Sequence, residues 1–322
     1  MPPSINPQPE EVKPAYSLTT HWNAGRHTAG EAMIEEILAL GFRQVELGFD
    51  LTLDLVPGVR RCVSDGRVTV SSLHAICPLP IGAPAPHPEL YTLANPDVHI
   101  RALAVRHLGA TLRFAAEVGA RVVVAHAGNV EMRALTHKLI AASAEAQPNQ
   151  HACERLRLKL LESREKAAPA QLDLLYRGLD ELLPVAESCG VRLALELLPS
   201  WEAIPTEIEM EQIMERYASP WLRYWHDLGH GQIRENLGLS GHLRWLKRLQ
   251  PYLAGMHVHD VVPPADDHRM PPRGKLDFAS FRSIAASDII RVLEPSRAIA
   301  GAEIVEGLAL IRKAWDHNPS EK

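Results

Sequence analysis

The sequence predicts an α/β fold: one (β/α)₈ barrel (TIM barrel) with a helical insert after the fourth strand. Strand-like and helix-like segments alternate along the chain, and eight strands that are each followed by a helix indicate a closed parallel barrel. A doubly wound open sheet is the alternative, but no Gly-x-Gly-x-x-Gly motif follows the first strand. With 322 residues, 46% of them hydrophobic, the chain can fill such a barrel.

Four strands are predicted in the first part of the chain, at residues 16–22, 44–49, 67–74 and 121–126. Helices are expected between them at about 29–40, 54–64 and 98–118, and Gly41 and Gly119 mark two of the helix ends. A Pro-rich loop at 78–96 follows the third strand. Because it follows a strand end, this loop is a candidate wall or lid of the site.

About 60 residues after the fourth strand show no strand pattern and predict two or three helices, the last at 170–188 before Gly190. Strands five to eight then end near residues 196, 227–230, 257–260 and 294. Helices are expected near 207–217, 242–249 and 278–286, with a final helix at 302–315. The chain therefore supplies all eight strand–helix units.

The chain is predicted to form one domain over residues 15–317, after a flexible leader at 1–14. That leader is Pro-rich and acidic and lacks the pattern of a signal peptide. No run of 18 apolar residues predicts a membrane span, and four cysteines without a Cys-x-x-Cys pair favour free thiols and a cytoplasmic protein. A net charge of −5 argues against nucleic acid as a partner.

Acidic and imidazole side chains stand at the ends of the last four predicted strands: Glu196, Asp227, His257 and Glu294, with His230 three residues after Asp227. The carboxyl ends of parallel barrel strands meet at one face, so these side chains are expected to lie together. Carboxylate and imidazole ligands suit zinc, manganese, iron or cobalt. A strand-end acid alone is often a helix N-cap, but four consecutive strand ends favour a divalent-metal site.

Histidines also end strands three and four, and a site role is expected for both His74 and His126. His259, two residues after His257, is expected to point away from it, as a packed or supporting histidine. Two further strand ends carry polar residues that are expected to line the pocket, His21 and Glu46.

The segment after strand seven contains Asp266-x-His268 among prolines and a glycine. This composition indicates a fixed polar loop that could carry a second group of metal ligands. Arg269, Arg273 or Lys275 could supply positive charge for an anionic substrate. The alternative is an ordinary charged surface loop.

These motifs together resemble the xylose isomerase-like, or AP endonuclease family 2, superfamily of TIM barrels, over residues 16–315. The similar parts are Val45-Glu-Leu, Val-Val-Val-Ala-His126, Leu-Ala-Leu-Glu196, Asp227-Leu-Gly-His230, His257-x-x-Asp260, Pro-x-Gly-x-Leu-Asp-Phe278 and Glu294-Pro. Their order and spacing are specific to the superfamily and do not specify a reaction.

The resemblance implies two alternative activities. In sugar isomerases and epimerases, one divalent metal is held by the residues matching Glu196, Asp227, His257 and Glu294, and the two glutamates act as acid and base. Two features depart from that branch. Pro263 stands where the epimerases have a substrate-binding arginine, and the lysine of xylose isomerase after the strand-five glutamate is missing.

In the endonuclease IV branch, three zinc ions use nine side chains, and every matching position here has a suitable residue: His74, His126, Glu196, Asp227, His230, His257, Asp266, His268 and Glu294. An isomerase needs about half of this set. The sequence therefore favours a metal-dependent phosphoester hydrolase, with zinc preferred over manganese, cobalt or iron.

The substrate is expected to be a small phosphorylated, nucleotide-containing or sugar-like molecule. No aromatic wedge for base flipping follows His74, and this argues against DNA repair. A sugar isomerase or epimerase is the alternative, and a non-catalytic binding module is the third hypothesis. The sequence leaves the oligomeric state open.

Overall fold

The structure is a computed structural model that describes residues 15–316, so the predicted leader lies outside the described residues. Eight parallel strands close into a barrel in the order β1-β10-β7-β6-β5-β4-β3-β2. These barrel strands are β1 (Ser17–Thr19), β2 (Gln44–Leu47), β3 (Thr69–His74), β4 (Val122–Ala125), β5 (Arg192–Glu196), β6 (Leu222–Asp227), β7 (Leu253–Val258) and β10 (Ile290–Leu293). The predicted (β/α)₈ barrel is confirmed.

Helices pack around the barrel. They are α1 (Gly30–Ala39), α2 (Val56–Ser64), α3 (Val98–Glu117), α4 (Thr136–Ser143), α5 (Gln150–Cys189), α6 (Glu207–Tyr217), α7 (Leu228–Asn236), α8 (His242–Leu249), α9 (Arg282–Ala285) and α10 (Gly301–Trp315). None of the helices that the structure describes is long and apolar enough to cross a membrane. The main core lies between these helices and the strands.

The barrel interior explains why the strand ends meet. Side chains alternate along a strand, so residues two positions apart share a face. Val124, Ala194, Trp225 and Val292 pack together inside the barrel. Each lies two residues before a polar strand-end residue of the predicted site, so His126, Glu196, Asp227 and Glu294 share the inward face.

The insert contains two helices, as predicted, but the second begins earlier than expected. Residues 150–189 form one 40-residue helix with Pro169 and Pro184 inside it, so the expected break before residue 170 is wrong. Apolar residues of α4 and the first part of α5, among them Leu139 and Leu160, form a second core with Ile233 of α7. Ala168 and Leu175, on either side of Pro169, belong to the main core. Because both parts of α5 are packed, the helix continues through a proline that sequence rules treat as a stop.

The segment after β7 is an antiparallel hairpin of β8 (Asp260–Val262) and β9 (Asp266–Arg269) rather than an irregular loop. Its base is organised by the buried Asp260 carboxylate, which accepts hydrogen bonds from the backbone N–H groups of Gly274 and Leu276, both at 2.9 Å. The hairpin thereby returns towards the C-terminal face of the barrel.

Candidate metal centre

Four buried side chains bring ligand atoms to one point above the barrel interior. One atom each from Glu196, Asp227, His257 and Glu294 lies within 4.8 Å of the other three. His257 Nδ1 is at the centre, 3.0 Å from Glu196 Oε1, 3.1 Å from Glu294 Oε2 and 3.8 Å from Asp227 Oδ2. The structure therefore brings together the four residues of the epimerase-type ligand set.

Glu46 lies behind this group rather than on the pocket wall. Its Oε1 is 3.1 Å from His257 Nε2, and its Oε2 accepts a 2.7 Å hydrogen bond from the Ser72 hydroxyl. A carboxylate on one imidazole nitrogen keeps the proton there and leaves the other nitrogen free as a ligand. The expectation that Glu46 lines the pocket is wrong, because its side chain is fully buried beneath His257.

His74 and His126 approach the same group from strands three and four. Nε2 of each ring lies 3.2 Å from Glu196 Oε2, and the ring centroids are 5.0 Å apart. His74 Nδ1 lies 3.3 Å from its neighbour's carbonyl oxygen, Ala75 O, so His74 presents Nε2 to the site. Both Nε2 atoms therefore face the Glu196 carboxylate, and His74 forms a three-residue group of potential metal ligands with Glu196 and His257.

A second group of imidazoles lies beside the first: His230, His259 and His268. Two of them have matching tautomers. His230 Nδ1 donates to Leu197 O at 3.1 Å, and His268 Nδ1 donates to Glu294 O at 2.9 Å, which leaves both Nε2 atoms as free acceptors.

His259 does not point away from His257, contrary to the sequence prediction. Residues two positions apart in extended chain share a face, so His259 lies on the same side as His257. His259 Nε2 lies 2.9 Å from Asp227 Oδ2, while its Nδ1 accepts the His268 backbone N–H at 2.9 Å. Both nitrogens are thus engaged, and His259 orients Asp227 rather than offering a free ligand atom.

Three predicted residues of the hairpin region lie outside this centre. Asp266 is exposed and pairs with Arg269 at 3.0 Å, and the exposed Arg273 pairs with Glu303. A strand residue and its successor face opposite sides, and here Asp267 faces the site, with its Oδ2 4.0 Å from His230 Nε2. The structure therefore does not place Asp266, Arg269 or Arg273 where their predicted roles require.

Electrostatics in the centre follow from four carboxylates around one imidazole, that of His257. Burial disfavours the His257 cation, yet Glu294 and Glu46 outweigh burial and raise the pKa of His257 well above its ordinary value. Burial also opposes ionisation of Glu196, but His257 and His126 hold the pKa of that carboxyl well below its usual range. A divalent cation would offset these carboxylates, and the oxygen and nitrogen donors of the group fit a divalent transition metal.

A cavity of about 640 Å³ opens directly onto the centre. Its lining includes the predicted residues His21, His74, His126, Glu196, His230, His268 and Glu294. Sequence reasoning missed Phe49, His87 and Arg297, which also line it. A usable signal existed for Arg297, because it follows Glu294 by three residues, just as His230 follows Asp227.

The chain belongs to the xylose isomerase-like TIM barrel family, whose model matches residues 34–314. The resemblance seen in the strand-end motifs is thereby confirmed. Two curated relatives are uncharacterised proteins. The one from Methanocaldococcus jannaschii is 26% identical over 111 residues, 34% of this chain and 41% of the relative. The one from Sinorhizobium fredii is 30% identical over 115 residues, 35% of this chain and 36% of the relative.

Solved structures with the same fold include several sugar-converting enzymes. A 3-keto-D-glucoside 4-epimerase from E. coli superposes with a TM-score of 0.65 at 16% identity, covering 92% of this chain and 98% of that one. An L-ribulose 3-epimerase superposes with a TM-score of 0.60 at 17% identity, covering 92% of this chain and 86% of the other. At these identities the likeness establishes the fold.

Proposed function

We propose that this protein is a divalent-metal-dependent sugar isomerase or epimerase. The observation that carries the proposal is the convergence of Glu196, Asp227, His257 and Glu294 within 4.8 Å, beneath a cavity that both glutamates line. Structural similarity to a 3-keto-D-glucoside 4-epimerase and an L-ribulose 3-epimerase supports it. This reverses the preference for hydrolysis drawn from the sequence.

The two glutamates are the acid–base pair of the proposed reaction. A divalent ion held by the four ligands would polarise the substrate's carbonyl oxygen, which acidifies the neighbouring C–H bond. One glutamate takes that proton as the C–H bond breaks. If the other glutamate delivers a proton to the same carbon from the opposite face, the reaction is an epimerisation. If the proton is delivered instead to the former carbonyl carbon, the reaction is an isomerisation.

The test follows proton transfer rather than a particular product. Protein freed of metal with a chelator and reloaded with manganese, cobalt or zinc is incubated in D₂O with a panel of ketoses. We expect deuterium to enter at the carbon next to the carbonyl, observed by NMR, only with metal present. Glu196→Gln should abolish exchange while some metal remains bound. Exchange at the wild-type rate in that variant, or none in the metal-loaded wild type, contradicts the proposal.

A second candidate function is hydrolysis of a small phosphodiester at a multinuclear centre. The specific observation is that His230 and His268 each present a free Nε2 towards the cavity, beside Asp267. Elemental analysis separates the two functions. One metal per chain, unchanged in His268→Ala, supports the isomerase. Two or three, partly lost in that variant, support the hydrolase.

A further inference from the structure

A buried aspartate paired with a half-exposed arginine contributes one wall of the cavity, on the side of β1 and β2. Arg297 Nη2 donates to Asp50 Oδ2 at 2.6 Å, and Arg297 Nε donates to the backbone oxygen of His21 at 3.3 Å. His21 Nδ1 also reaches Asp50 Oδ2, at 3.2 Å. The Asp50 side chain is 2% exposed, whereas that of Arg297 is 49% exposed and lines the cavity.

The backbone on both sides fixes this pair. The Ser296 N–H donates to His268 O at 2.9 Å, which holds the turn that carries Arg297 beside the hairpin. On the other side, Asp50 Oδ1 lies where a Cβ at Gly48 would approach to 2.8 Å. That oxygen is buried without a hydrogen-bond partner among the described residues. Because one oxygen of the Asp50 carboxylate reaches no donor, the contacts of the other oxygen with the Arg297 guanidinium and the His21 ring must compensate for burying the charge.

The charges around the cavity do not favour a phosphate group. Arg297 is the single arginine or lysine in the cavity lining that the structure describes, and Asp50 already offsets its charge. A divalent ion would in turn be offset by the carboxylates of Glu196, Asp227 and Glu294. Phosphate dianions are held by unneutralised arginine or lysine side chains. The cavity instead offers directed N–H donors without excess positive charge.

We propose that Arg297, held by Asp50 and flanked by His21, binds hydroxyl groups of an unphosphorylated sugar and selects against sugar phosphates. The proposal rests on the proposed isomerase or epimerase function and names its substrate class. His21 lies against Phe49, with ring centroids 4.6 Å apart, and Phe49 lies 5.4 Å from His74. This continuous wall joins the hydroxyl-binding end of the cavity to the metal centre.

Two variants test the pair, with two matched controls. Arg297→Gln keeps a hydrogen-bond donor and removes the charge, and Asp50→Asn leaves the guanidinium unbalanced. The controls are Arg269→Gln and Asp266→Asn, an arginine–aspartate pair outside the cavity. Deuterium exchange is measured with unphosphorylated ketoses and with the corresponding ketose phosphates, on manganese-loaded protein.

The wild type should prefer the unphosphorylated ketose by about 100-fold in kcat/KM. This ratio corresponds to about two hydrogen bonds that the ketose makes and the ketose phosphate does not. Arg297→Gln should raise KM for that sugar about tenfold with a smaller change in kcat, since the arginine touches neither reacting carbon. Asp50→Asn should shrink the preference by about tenfold, because an unbalanced cation attracts phosphate. Both controls should retain the wild-type preference.

A wild-type preference for ketose phosphates that Arg297→Gln removes would overturn the substrate class and leave the isomerase function intact. Failure to exchange any ketose would instead count against the function itself. Calorimetric titration with inorganic phosphate and with sorbitol then still decides the inference. The inference is overturned if phosphate binds more tightly than sorbitol and this binding depends on Arg297, or if sorbitol does not bind. Sorbitol binding that weakens in Arg297→Gln supports the inference.

Discussion

His257 shows how one side chain acquires its role from its neighbours. The ring is fully buried, with Glu46 at Nε2 and three carboxylates around Nδ1. The Glu46 carboxylate makes Nδ1 the nitrogen that faces the other ligands. Ser72, which donates to the second oxygen of Glu46, keeps that carboxylate in place. A residue that does not line the cavity thereby determines which nitrogen of His257 would be offered to a metal ion.

Glu46→Gln tests this positioning role. The amide cannot hold the His257 proton as a carboxylate does, so metal affinity should fall by about 10–100-fold, the usual effect of losing such a partner. Metal titration by calorimetry measures the change, with circular dichroism to check folding. Glu303→Gln, which removes a carboxylate that pairs with Arg273 outside the cavity, is the control and should bind metal normally. Unchanged affinity in Glu46→Gln would exclude the positioning role.

At the scale of elements, α7 contributes directly to the geometry of the centre. It begins directly after Asp227, whose Oδ1 accepts the His230 N–H at 2.7 Å as the helix N-cap. Asp227 is therefore both a helix N-cap, the alternative interpretation of a strand-end acid, and a member of the predicted site. Gly229 follows, and a Cβ there would lie 2.0 Å from the His259 ring. Only glycine lets His259 reach Asp227.

Gly229→Ala should therefore displace His259 and lower metal affinity by at least about tenfold through Asp227. Gly109→Ala in α3 is the matched control, since its Cβ would meet side chains at 3.6 Å or more. Alanine is favoured over glycine in a helix, so the control should be neutral or stabilising by about 0.5–1 kcal/mol. Equal metal binding in both variants would contradict the role given to Gly229.

Helix α7 also shows where sequence patterns stop being informative. Gly229 and Gly231 lie in its first turn and weaken the helical pattern of the sequence. The sequence therefore predicts that residues 228–230 belong to the end of a strand. The predictions for 192–196, 207–217 and 242–249 agree with β5, α6 and α8, because apolar periodicity there is uninterrupted. Packing against the insert and the barrel compensates for the weak propensity of α7.

At the scale of the whole molecule, the barrel holds a pair of buried histidines outside the metal centre. His226 Nε2 and His242 Nε2 lie 2.8 Å apart, and the Tyr224 hydroxyl contacts the other nitrogen of His226. Burial lowers the pKa of His242 to about 4. Burial and His242 hold the pKa of His226 well below its ordinary value. The folded protein therefore keeps this pair neutral.

Stability should fall on acidification because of this pair. In the unfolded chain a histidine takes up its proton near pH 6.5. The pKa of His242 is lower in the folded protein than in the unfolded chain. The neutral ring therefore contributes fully to the free energy of unfolding above about pH 6.5, and this contribution is lost as the pH falls towards 4. Urea unfolding between pH 7 and 4 measures this. His242→Gln should lose less stability over that range, by up to about 3 kcal/mol. Identical pH profiles would contradict the assignment.

The sequence by itself determined the barrel and much of its site, because both depend on local patterns. Alternating apolar strands and helices define the barrel, and the polar residues that end strands must then meet at one face. The strand-end pattern predicts Glu196, Asp227, His257 and Glu294 in this way. None of these inferences requires knowledge of a side chain's orientation beyond the strand.

Tertiary structure decided the features that depend on orientation outside regular strands. Asp267 rather than Asp266 faces the site because the hairpin register sets which carboxylate turns inward. His259 reaches Asp227 because Gly229 leaves space for its ring. Arg297 meets Asp50 across 247 residues of chain, a contact that no local pattern encodes. Long-range packing sets these positions, so they follow only from the folded chain.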